Sequence, residues 1–285
     1  MKMYLRFFLL LGGALGLMAL EDSNVTTTGP SLSVMTYNVG DIGTPLPSLE
    51  NIVETIRKSG TPDVLFLQEA PSASAAAFLA RQLGMSSHIY FPYKETSGMA
   101  ILAHGQLLNP QILYFKASKM DRGAILAEMT FEGKPLALCS VHMDHISSVI
   151  TASQKILRVP WKKGLSLIEQ ELVNETTRTR STKELLSWPA LQRYERVIIG
   201  GDFNTIPFSK TIRLMNGRFK DALWPSLEYF KGSYKKTTLP VAPRIDFIFA
   251  SRGILALEAS VGRETAGDHY PVRARFVMEG KRPLS

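Results

Sequence analysis

The feature that most constrains this chain is a series of eight short apolar segments, several of which end abruptly in a polar or acidic residue. Their β-branched and aromatic content is typical of strands. The segments are LSVMTYN (32–38), DVLFLQ (63–68), MAILA (99–103), AILAEMTF (124–131), PLALCSVHM (135–143), VIIGGDF (197–203), DFIFA (246–250) and VRARF (272–276). DVLFLQ and VIIGG begin as almost continuous apolar runs, which indicates strands covered on both faces. AILAEMTF and PLALCSVHM, separated by Glu132-Gly133-Lys134, predict a hairpin.

Helices are predicted between these strands. Residues 48–58 place Leu49, Ile52, Val53 and Ile56 on one face after Ser48 as N-cap. A second, alanine-rich helix is predicted at 72–83 and a third within 166–187, where the polar stretch 174–183 is either a solvated helix face or a loop. Many short strands with interspersed helices favour an α/β fold of two packed sheets with helices outside, over a bundle or a pure sandwich.

Composition excludes several classes of protein. The chain has 285 residues, of which 45% are hydrophobic and 20% charged. These values exclude a disordered chain, a collagen-like repeat and a multi-spanning membrane protein. Cys139 is the single cysteine, so an intrachain disulfide and a four-cysteine zinc site are excluded as well. The net charge of +8 favours polyanionic partners such as nucleic acid or anionic lipid.

The N-terminus has a composition of its own. Lys2 and Arg6 precede an uncharged apolar run from Phe7 to Leu20, which has the length of a signal-peptide core and is short for a spanning helix. We therefore expect residues 1–20 to be a signal peptide or membrane anchor rather than a buried helix. Residues 21–30 are predicted as a linker, 31–278 as one domain and 279–285 as a tail. The protein is expected to be exported, either periplasmic or extracellular, or anchored by its N-terminus.

Polar side chains cluster where the predicted strands end or begin. They are Asn38, Gln68, Glu69, His142, Asp144, Asp202, Asn204, Asp246, Asp268 and His269. A single aspartate or asparagine after a strand is commonly a turn former, but six such strand ends in one chain predict a shared polar site on a rigid scaffold. Carboxylate and amide oxygens suit Mg²⁺ or Mn²⁺, and an imidazole beside an aspartate suits proton transfer. A divalent ion with imidazoles is a known apparatus for attack of water on phosphate esters.

In their order, these motifs resemble the endonuclease/exonuclease/phosphatase superfamily, the deoxyribonuclease I-like metal-dependent phosphohydrolases. The motifs are MTYNV (35–39), DVLFLQEA (63–70), SGMAILA (97–103), SVHMD (140–144), GGDFNTIPFS (200–209), RIDFIFAS (244–251) and GDHYPVRARF (267–276). The resemblance covers about residues 31–277. It implies a four-layer sandwich in which two mainly antiparallel β-sheets pack together and are flanked by helices.

The resemblance also implies roles for eight residues. Asn38, Glu69 and Asp268 would lie on the metal side, with Glu69 as the principal carboxylate ligand of Mg²⁺ or Mn²⁺. His142 would contact the scissile phosphate as donor or general acid. Asp202 would orient or deprotonate the attacking water, and Asn204 would hold a phosphate oxygen. Asp246 and His269 would form a pair with the imidazole over the phosphate.

The chain departs from part of the family. Abasic-site nucleases of the superfamily carry an aspartate two positions after the asparagine of the first motif, where this chain has Gly40, and a tyrosine in place of His142. The histidine variant resembles deoxyribonuclease I, sphingomyelinase and the bacterial exported or membrane-associated members.

The resulting hypothesis is a metal-dependent phosphoesterase that hydrolyses a phosphodiester or phosphomonoester by in-line attack of water. Its substrate would be nucleic acid, phospholipid or a small phosphate ester. One alternative is a sphingomyelinase-like lipid phosphatase or phospholipase at a membrane, with membrane contact through the N-terminus. The other is an inactive homologue that acts as a binding module. We expect a monomer.

Overall fold

The computed structural model describes residues 29–40, 47–93, 97–145, 169–235 and 242–279. The predicted signal or anchor segment 1–20 and most of the predicted linker lie outside these ranges. Within them, no helix combines the length and apolarity that crossing a membrane requires.

Two six-stranded sheets form the centre of the protein. In chain order the strands are β1 (Leu32–Asn38), β2 (Val64–Ala70), β3 (Ser87–Pro92), β4 (Gly98–Ala103), β5 (Leu108–Tyr114), β6 (Gly123–Phe131), β7 (Lys134–His142), β8 (Val197–Asp202), β9 (Phe219–Asp221), β10 (Asp246–Ser251), β11 (Ile254–Val261) and β12 (Val272–Met278). The strand order is β11-β12-β1-β2-β4-β3 in the first sheet and β5-β6-β7-β8-β10-β9 in the second. Each sheet contains one parallel pair, β1–β2 or β7–β8, and is otherwise antiparallel.

The eight predicted strands are confirmed. The predicted hairpin is also present, because Phe131 pairs with Lys134 across a two-residue loop. Glu132 and Gly133 both have positive φ, of 51° and 69°, as the tight turn of a twisted hairpin requires. The four remaining strands, β3, β5, β9 and β11, were not predicted from the sequence, and each lies at the edge of a sheet.

The helices lie outside the sheets: α1 (Leu49–Lys58), α2 (Ala73–Gln82), α3 (Thr177–Leu186), α4 (Pro189–Gln192) and α5 (Lys210–Asn216), with a 3₁₀ turn at Leu227–Phe230. The predicted N-cap of α1 is confirmed, since the Ser48 hydroxyl accepts a hydrogen bond from the Asn51 amide. Ser72 caps α2 in the same way.

Helix α3 begins at Thr177, so most of the polar stretch 174–183 is helical. Arg180 and Lys183 lie on a solvated face of this helix, as one of the two interpretations predicted, but other polar residues of the stretch do not. Arg178, Thr179, Ser181 and Thr182 are all buried. Their polar atoms are paired inside the protein: the Arg178 guanidinium forms an ion pair with Glu171, and the Thr182 hydroxyl donates to the Arg178 carbonyl. Buried polar side chains require such partners, and polarity alone therefore did not indicate exposure here.

Three apolar layers hold the elements together. Val34 and Phe66 of the first sheet pack against Ile125 and Ile198 of the second. One outer layer packs α1 and α2 on the first sheet, and another packs α3 and α5 on the second. The fold is therefore the expected helix–sheet–sheet–helix sandwich. At Gly200 the sheets approach so closely that a Cβ atom would lie 2.4 Å from the Phe66 ring.

The two parallel pairs determine where the site forms. The carboxyl ends of β1 and β2 lie at one edge of the first sheet, where Asn38 pairs with Gln68. The carboxyl ends of β7 and β8 lie at the corresponding edge of the second sheet. Gln68 joins the two edges, because its side chain accepts a hydrogen bond from Thr36 and donates one to Ser140 of β7.

Candidate functional site

Three neighbouring strands bring three site residues into one row. His142 of β7 is in register with Asp202 of β8, and Asp202 is in register with Asp246 of β10. Because β10 is antiparallel to β8, its first residue lies at the edge where β8 ends. All three side chains are almost completely buried.

Glu69 reaches this row from the other sheet through a break in the regular pairing. The register of β2 with β4 shifts between Leu67 and Ala70, and Glu69 has a positive φ of 56°. A bulge of this kind re-aims a side chain and costs backbone strain, which is common at functional sites. The Glu69 carboxylate then lies 3.7 Å from Nε2 of His142, and a quarter of its side chain remains exposed.

Asp202 is the centre of the cluster. Its carboxylate accepts hydrogen bonds from the Asn38 side-chain amide at 3.1 Å, the Asn204 backbone amide at 2.8 Å and the Asn204 side-chain amide at 3.0 Å. The Asn204 side chain also donates to the Met143 carbonyl, and Asn204 has a φ of 49°. Both N–H groups of the Asn204 side chain are thus used within the protein, and they hold the Asp202 carboxylate in place.

His269 completes the cluster. Its Nδ1 lies 2.9 Å from the Asp246 carboxylate, and its Nε2 lies 3.9 Å from both Asp202 and Asp268. The ring also packs edge-on against Tyr234. All eight residues selected from the sequence therefore lie in one cluster, joined by contacts of 3.9 Å or less.

The two imidazoles have opposite electrostatic surroundings. Burial lowers the pKa of His142 well below its ordinary value, and the positive charges of Arg122 and His269 lower it further. Burial would also lower the pKa of His269, but its hydrogen-bonded partner Asp246, together with Asp202 and Asp268, raises that pKa to about 10. His142 is thus neutral and His269 is an imidazolium at neutral pH.

The pKa of Asp202 is raised. Burial is the main cause, and the negative charge of Asp246 adds to it, while His269 and the hydrogen bonds from Asn204 and Asn38 oppose the shift. A carboxylate held at a raised pKa is a better proton acceptor than an exposed aspartate.

Two residues near the site were missed in the sequence. The Tyr93 hydroxyl lies 2.7 Å from Nδ1 of His142, and the Arg122 guanidinium lies over the Tyr93 ring and 3.4 Å from the Glu69 carboxylate. Arg122 precedes Gly123, which is in register with His142, so it lies at the site edge for the same reason as Asp246. Its position before a predicted strand was the signal that could have identified it.

Asp144, another polar strand end, lies outside the cluster. Its carboxylate accepts hydrogen bonds from the Ser118 hydroxyl and the Lys119 amide. Behind it, the Arg178 guanidinium donates to the Asp144 carbonyl, while Glu171 accepts a hydrogen bond from Thr205. The Glu171–Arg178 pair therefore ties together the loops that follow His142 and Asn204.

The donor set fits a divalent cation. Asp202 and Asp246 bring carboxylate oxygens within 4.8 Å of each other beside His269, whose Nδ1 is hydrogen-bonded to Asp246, so the oxygens rather than the imidazole are available to a cation. One buried oxygen of Asp246, Oδ1, has no hydrogen-bond partner within the described part of the chain, which is unusual for a buried carboxylate. Glu69, Asn38 and Asp268 add further hard oxygen atoms to the cluster, and such atoms suit Mg²⁺ or Mn²⁺.

Comparison with solved structures shows the same fold in several proteins. An endonuclease/exonuclease/phosphatase from Beutenbergia cavernae superposes with a TM-score of 0.63 at 17% identity, covering 90% of this chain and 74% of that one. D. rerio TDP2, complexed with a single-stranded DNA product, gives 0.58 at 19% identity, covering 88% and 100%. The catalytic domain of human Nocturnin, with a bound sulfate anion, gives 0.59 at 15% identity, covering 87% and 94%.

The sequence itself matches one family. No curated protein sequence matches this chain. The model of the Endonuclease/Exonuclease/phosphatase family matches residues 35–269, a range that contains all eight clustered residues. This chain therefore belongs to the endonuclease/exonuclease/phosphatase family.

Proposed function

We propose that this protein is a divalent-metal-dependent phosphoesterase that hydrolyses a phosphodiester or phosphomonoester by in-line attack of water. The observation that carries the proposal is one buried carboxylate, Asp202, between a neutral and a charged imidazole, His142 and His269. Pairs of titratable groups whose pKa values are driven apart are typical of acid–base catalysis. Family membership supports the same chemistry.

Each residue then has a distinct task. Asp246 orients the His269 ring through Nδ1, so Nε2–H donates to a phosphate oxygen. Asp202, held by Asn38 and Asn204, accepts the proton of the attacking water. His142 is held through Nδ1 by the Tyr93 hydroxyl, which leaves Nε2–H to contact the phosphate.

The metal would be Mg²⁺ or Mn²⁺, held by Glu69, Asn38 and Asp268. When bound, such an ion acts as a Lewis acid that stabilises charge developing on phosphate oxygens. The Arg122 guanidinium beside Glu69 keeps the carboxylate directed into the cluster.

The experiment is a panel of phosphate esters with Mg²⁺, with Mn²⁺ and with a chelator. The panel contains bis-p-nitrophenyl phosphate, p-nitrophenyl phosphate, plasmid DNA and phospholipid vesicles. We expect metal-dependent release of product that His269→Ala abolishes and that the control His104→Ala, an exposed histidine outside the cluster, leaves unchanged. Full activity of His269→Ala would refute the assignment.

The same panel of phosphate esters also tests two alternative functions. A lipid-directed phosphatase or phospholipase is favoured by the net charge of +8 and by the apolar N-terminal run. It would release phosphate or headgroup from vesicles faster than it cleaves DNA. An inactive homologue that works as a binding module would turn over no ester with any metal.

We also propose that the chain is exported and that residues 1–20 direct or anchor it. The proposal rests on Lys2 and Arg6 before the apolar run Phe7–Leu20. Fractionation of cells that express the full chain tests it, because a protein found only in the cytoplasm would contradict export.

A further inference from the structure

A group of large apolar side chains lies exposed on one surface of the protein. Trp224, Leu227 and Phe230 are 46%, 87% and 41% exposed, and Phe208 is 41% exposed. The rings are contiguous: Phe208 lies 6.4 Å from Trp224 and 6.2 Å from Phe230, with the buried Tyr229 beneath them. We refer to Phe208, Trp224, Leu227 and Phe230 as the apolar patch.

One member of the patch, Phe208, has a strained backbone conformation. Phe208 has a φ of 66°, in the left-handed region that a bulky side chain rarely adopts. This conformation directs the ring onto the patch, where it remains 41% exposed. Strain that exposes an aromatic ring does not contribute to a folded core, and such outliers indicate function. Phe208 lies four residues after Asn204, so the patch is connected to the loop that holds Asp202.

A positively charged groove borders the patch. The segment that carries Leu227 and Phe230 also carries Glu228 and Lys231, and both line a groove of about 360 Å³. Its charged lining consists of Lys58, Lys231, Arg263 and Arg273 against Glu228 and Glu264. Lys58 forms an ion pair with Glu264 and Lys231 forms one with Glu228, so Arg263 and Arg273 supply the excess positive charge. The buried Nε of Arg273 has no hydrogen-bond partner among the described residues. The groove therefore retains positive charge beside the exposed rings.

We propose that the apolar patch and the adjoining basic groove form a docking surface for an anionic phospholipid bilayer. Tryptophan, phenylalanine and leucine next to basic residues are the side chains that bind at the interface of a membrane, where apolar groups enter the acyl boundary and cations contact the headgroups. Leu227, the most exposed member, favours lipid over nucleic acid, since an aliphatic side chain cannot stack on a base as an aromatic ring does. The surface is separate from the N-terminal segment and does not depend on the proposed activity.

The test uses the full chain and measures insertion at Trp224 itself. Vesicles of phosphatidylcholine with one-third phosphatidylglycerol carry brominated acyl chains, which quench tryptophan fluorescence on contact. We expect quenching that Trp224→Phe removes, and little quenching with phosphatidylcholine alone. Because the readout is local, attachment through residues 1–20 does not produce it.

Matched variants distinguish membrane binding through the apolar patch from nonspecific hydrophobic adsorption. Leu227→Ser/Phe230→Ser is expected to weaken binding to the anionic vesicles by about tenfold or more, since two exposed apolar side chains no longer enter the bilayer. Leu108→Ser/Tyr114→Ser, an exposed pair on the far edge strand β5, is expected to leave binding unchanged. Hydrolysis of bis-p-nitrophenyl phosphate should be the same in all variants, which distinguishes failure of this proposal from failure of the proposed function.

Several outcomes would overturn the proposal. They are Trp224 fluorescence that brominated lipid leaves unchanged, equal loss of binding in both double variants, or affinity for single-stranded DNA that depends on the patch while vesicle binding does not. Concentration-dependent dimerisation that Leu227→Ser/Phe230→Ser abolishes, without vesicle binding, would assign the patch to a second copy of this chain instead.

Discussion

Two groups of buried charges in this protein are organised in opposite ways. Arg244 and Asp221 form a two-pronged ion pair at 3.1 and 2.6 Å, and the guanidinium lies between the rings of Tyr229 and Phe247. One positive charge there meets one negative charge. In the candidate site, Asp202 and Asp246 instead share a single imidazolium, His269. One buried atom lacks a hydrogen-bond partner among the described residues in each group, Nε of Arg244 and Oδ1 of Asp246, so the difference lies in the balance of charge.

The difference teaches which group serves folding and which serves function. A buried pair with matched charges and good geometry is tolerated by the fold, and removal of either partner leaves an uncompensated charge. An excess of buried carboxylates is unfavourable unless a cation or a bound substrate uses it, and such strained sites commonly trade stability for activity. We therefore expect substitutions in the two groups to have opposite effects on activity and stability.

The largest expected effect is the loss of activity in Asp202→Asn. The amide keeps the shape of the side chain but cannot accept the proton of water, so kcat should fall by about 10²–10⁴-fold. Steady-state hydrolysis of bis-p-nitrophenyl phosphate with Mg²⁺ measures it. A variant with wild-type kcat would remove Asp202 from the mechanism.

Asp221→Asn should affect stability and not chemistry. It leaves the buried Arg244 without a counter-charge, and we expect the free energy of unfolding to fall by about 3–5 kcal/mol. Urea denaturation measures the change. Glu258→Gln is the matched control, because its partner Arg275 forms an exposed pair, and its effect should stay within about 1 kcal/mol. If the two substitutions lowered the free energy of unfolding equally, the buried Arg244–Asp221 pair would contribute no more to stability than an exposed ion pair.

Addition of the metal should stabilise the folded protein through the candidate site and not through the Arg244–Asp221 pair. A divalent ion at 100 times its dissociation constant adds about 2.7 kcal/mol to the free energy of unfolding. Thermal unfolding with Mg²⁺, with Mn²⁺ and with a chelator tests this. Glu69→Gln should reduce the increment, whereas Glu258→Gln should retain it. If neither Mg²⁺ nor Mn²⁺ changed the unfolding temperature, the result would argue against a cation at this site.

The smallest expected effect is a gain of stability in Asp202→Asn without metal. Burial and the nearby charge of Asp246 oppose ionisation of Asp202, so an uncharged side chain of the same shape should raise the free energy of unfolding by about 1 kcal/mol. The hydrogen bonds from Asn38 and Asn204 work against the gain, since both Asp202 oxygens accept N–H donors and the substitution replaces one of them with an NH₂ group that cannot accept. Urea denaturation in a chelator measures the net change, and a loss of several kcal/mol would reverse the comparison with Asp221.

The position of a strand within its sheet decided how well the sequence predicted it. All eight predicted strands have neighbours on both sides, and interior strands such as β8 are buried along their length. The four missed strands are the four sheet edges, where β11 is largely exposed and β5 contains Pro110. Edge strands tolerate charge and proline because one row of their backbone groups faces away from the sheet, so their pattern is weak.

The site residues that the sequence pattern predicted best are those that continue a buried strand. Asn38, Glu69, His142 and Asp202 are of this kind, and their register carries them to one edge. Tyr93 was missed because it follows β3, an edge strand without a clear pattern. Asp144 was selected as a polar strand end but lies outside the cluster, because its carboxylate binds Ser118 and Lys119 of a neighbouring loop. Whether a polar residue after a strand enters the site or holds a loop depends on the path of that loop, which the sequence pattern does not give.

The close approach of Gly40 to Glu69 also limits which residues position 40 of this chain can hold. A Cβ atom at position 40 would lie 2.0 Å from the Glu69 carboxylate, and a Cβ atom at position 267 would lie 2.6 Å from the Gly40 carbonyl. The aspartate that abasic-site nucleases carry at this place therefore cannot enter by one substitution while Glu69 stays where it is. Any larger residue at position 40 would push the Glu69 carboxylate away from His142, so the smallest amino acid at this position preserves the reach of Glu69 between the two sheets.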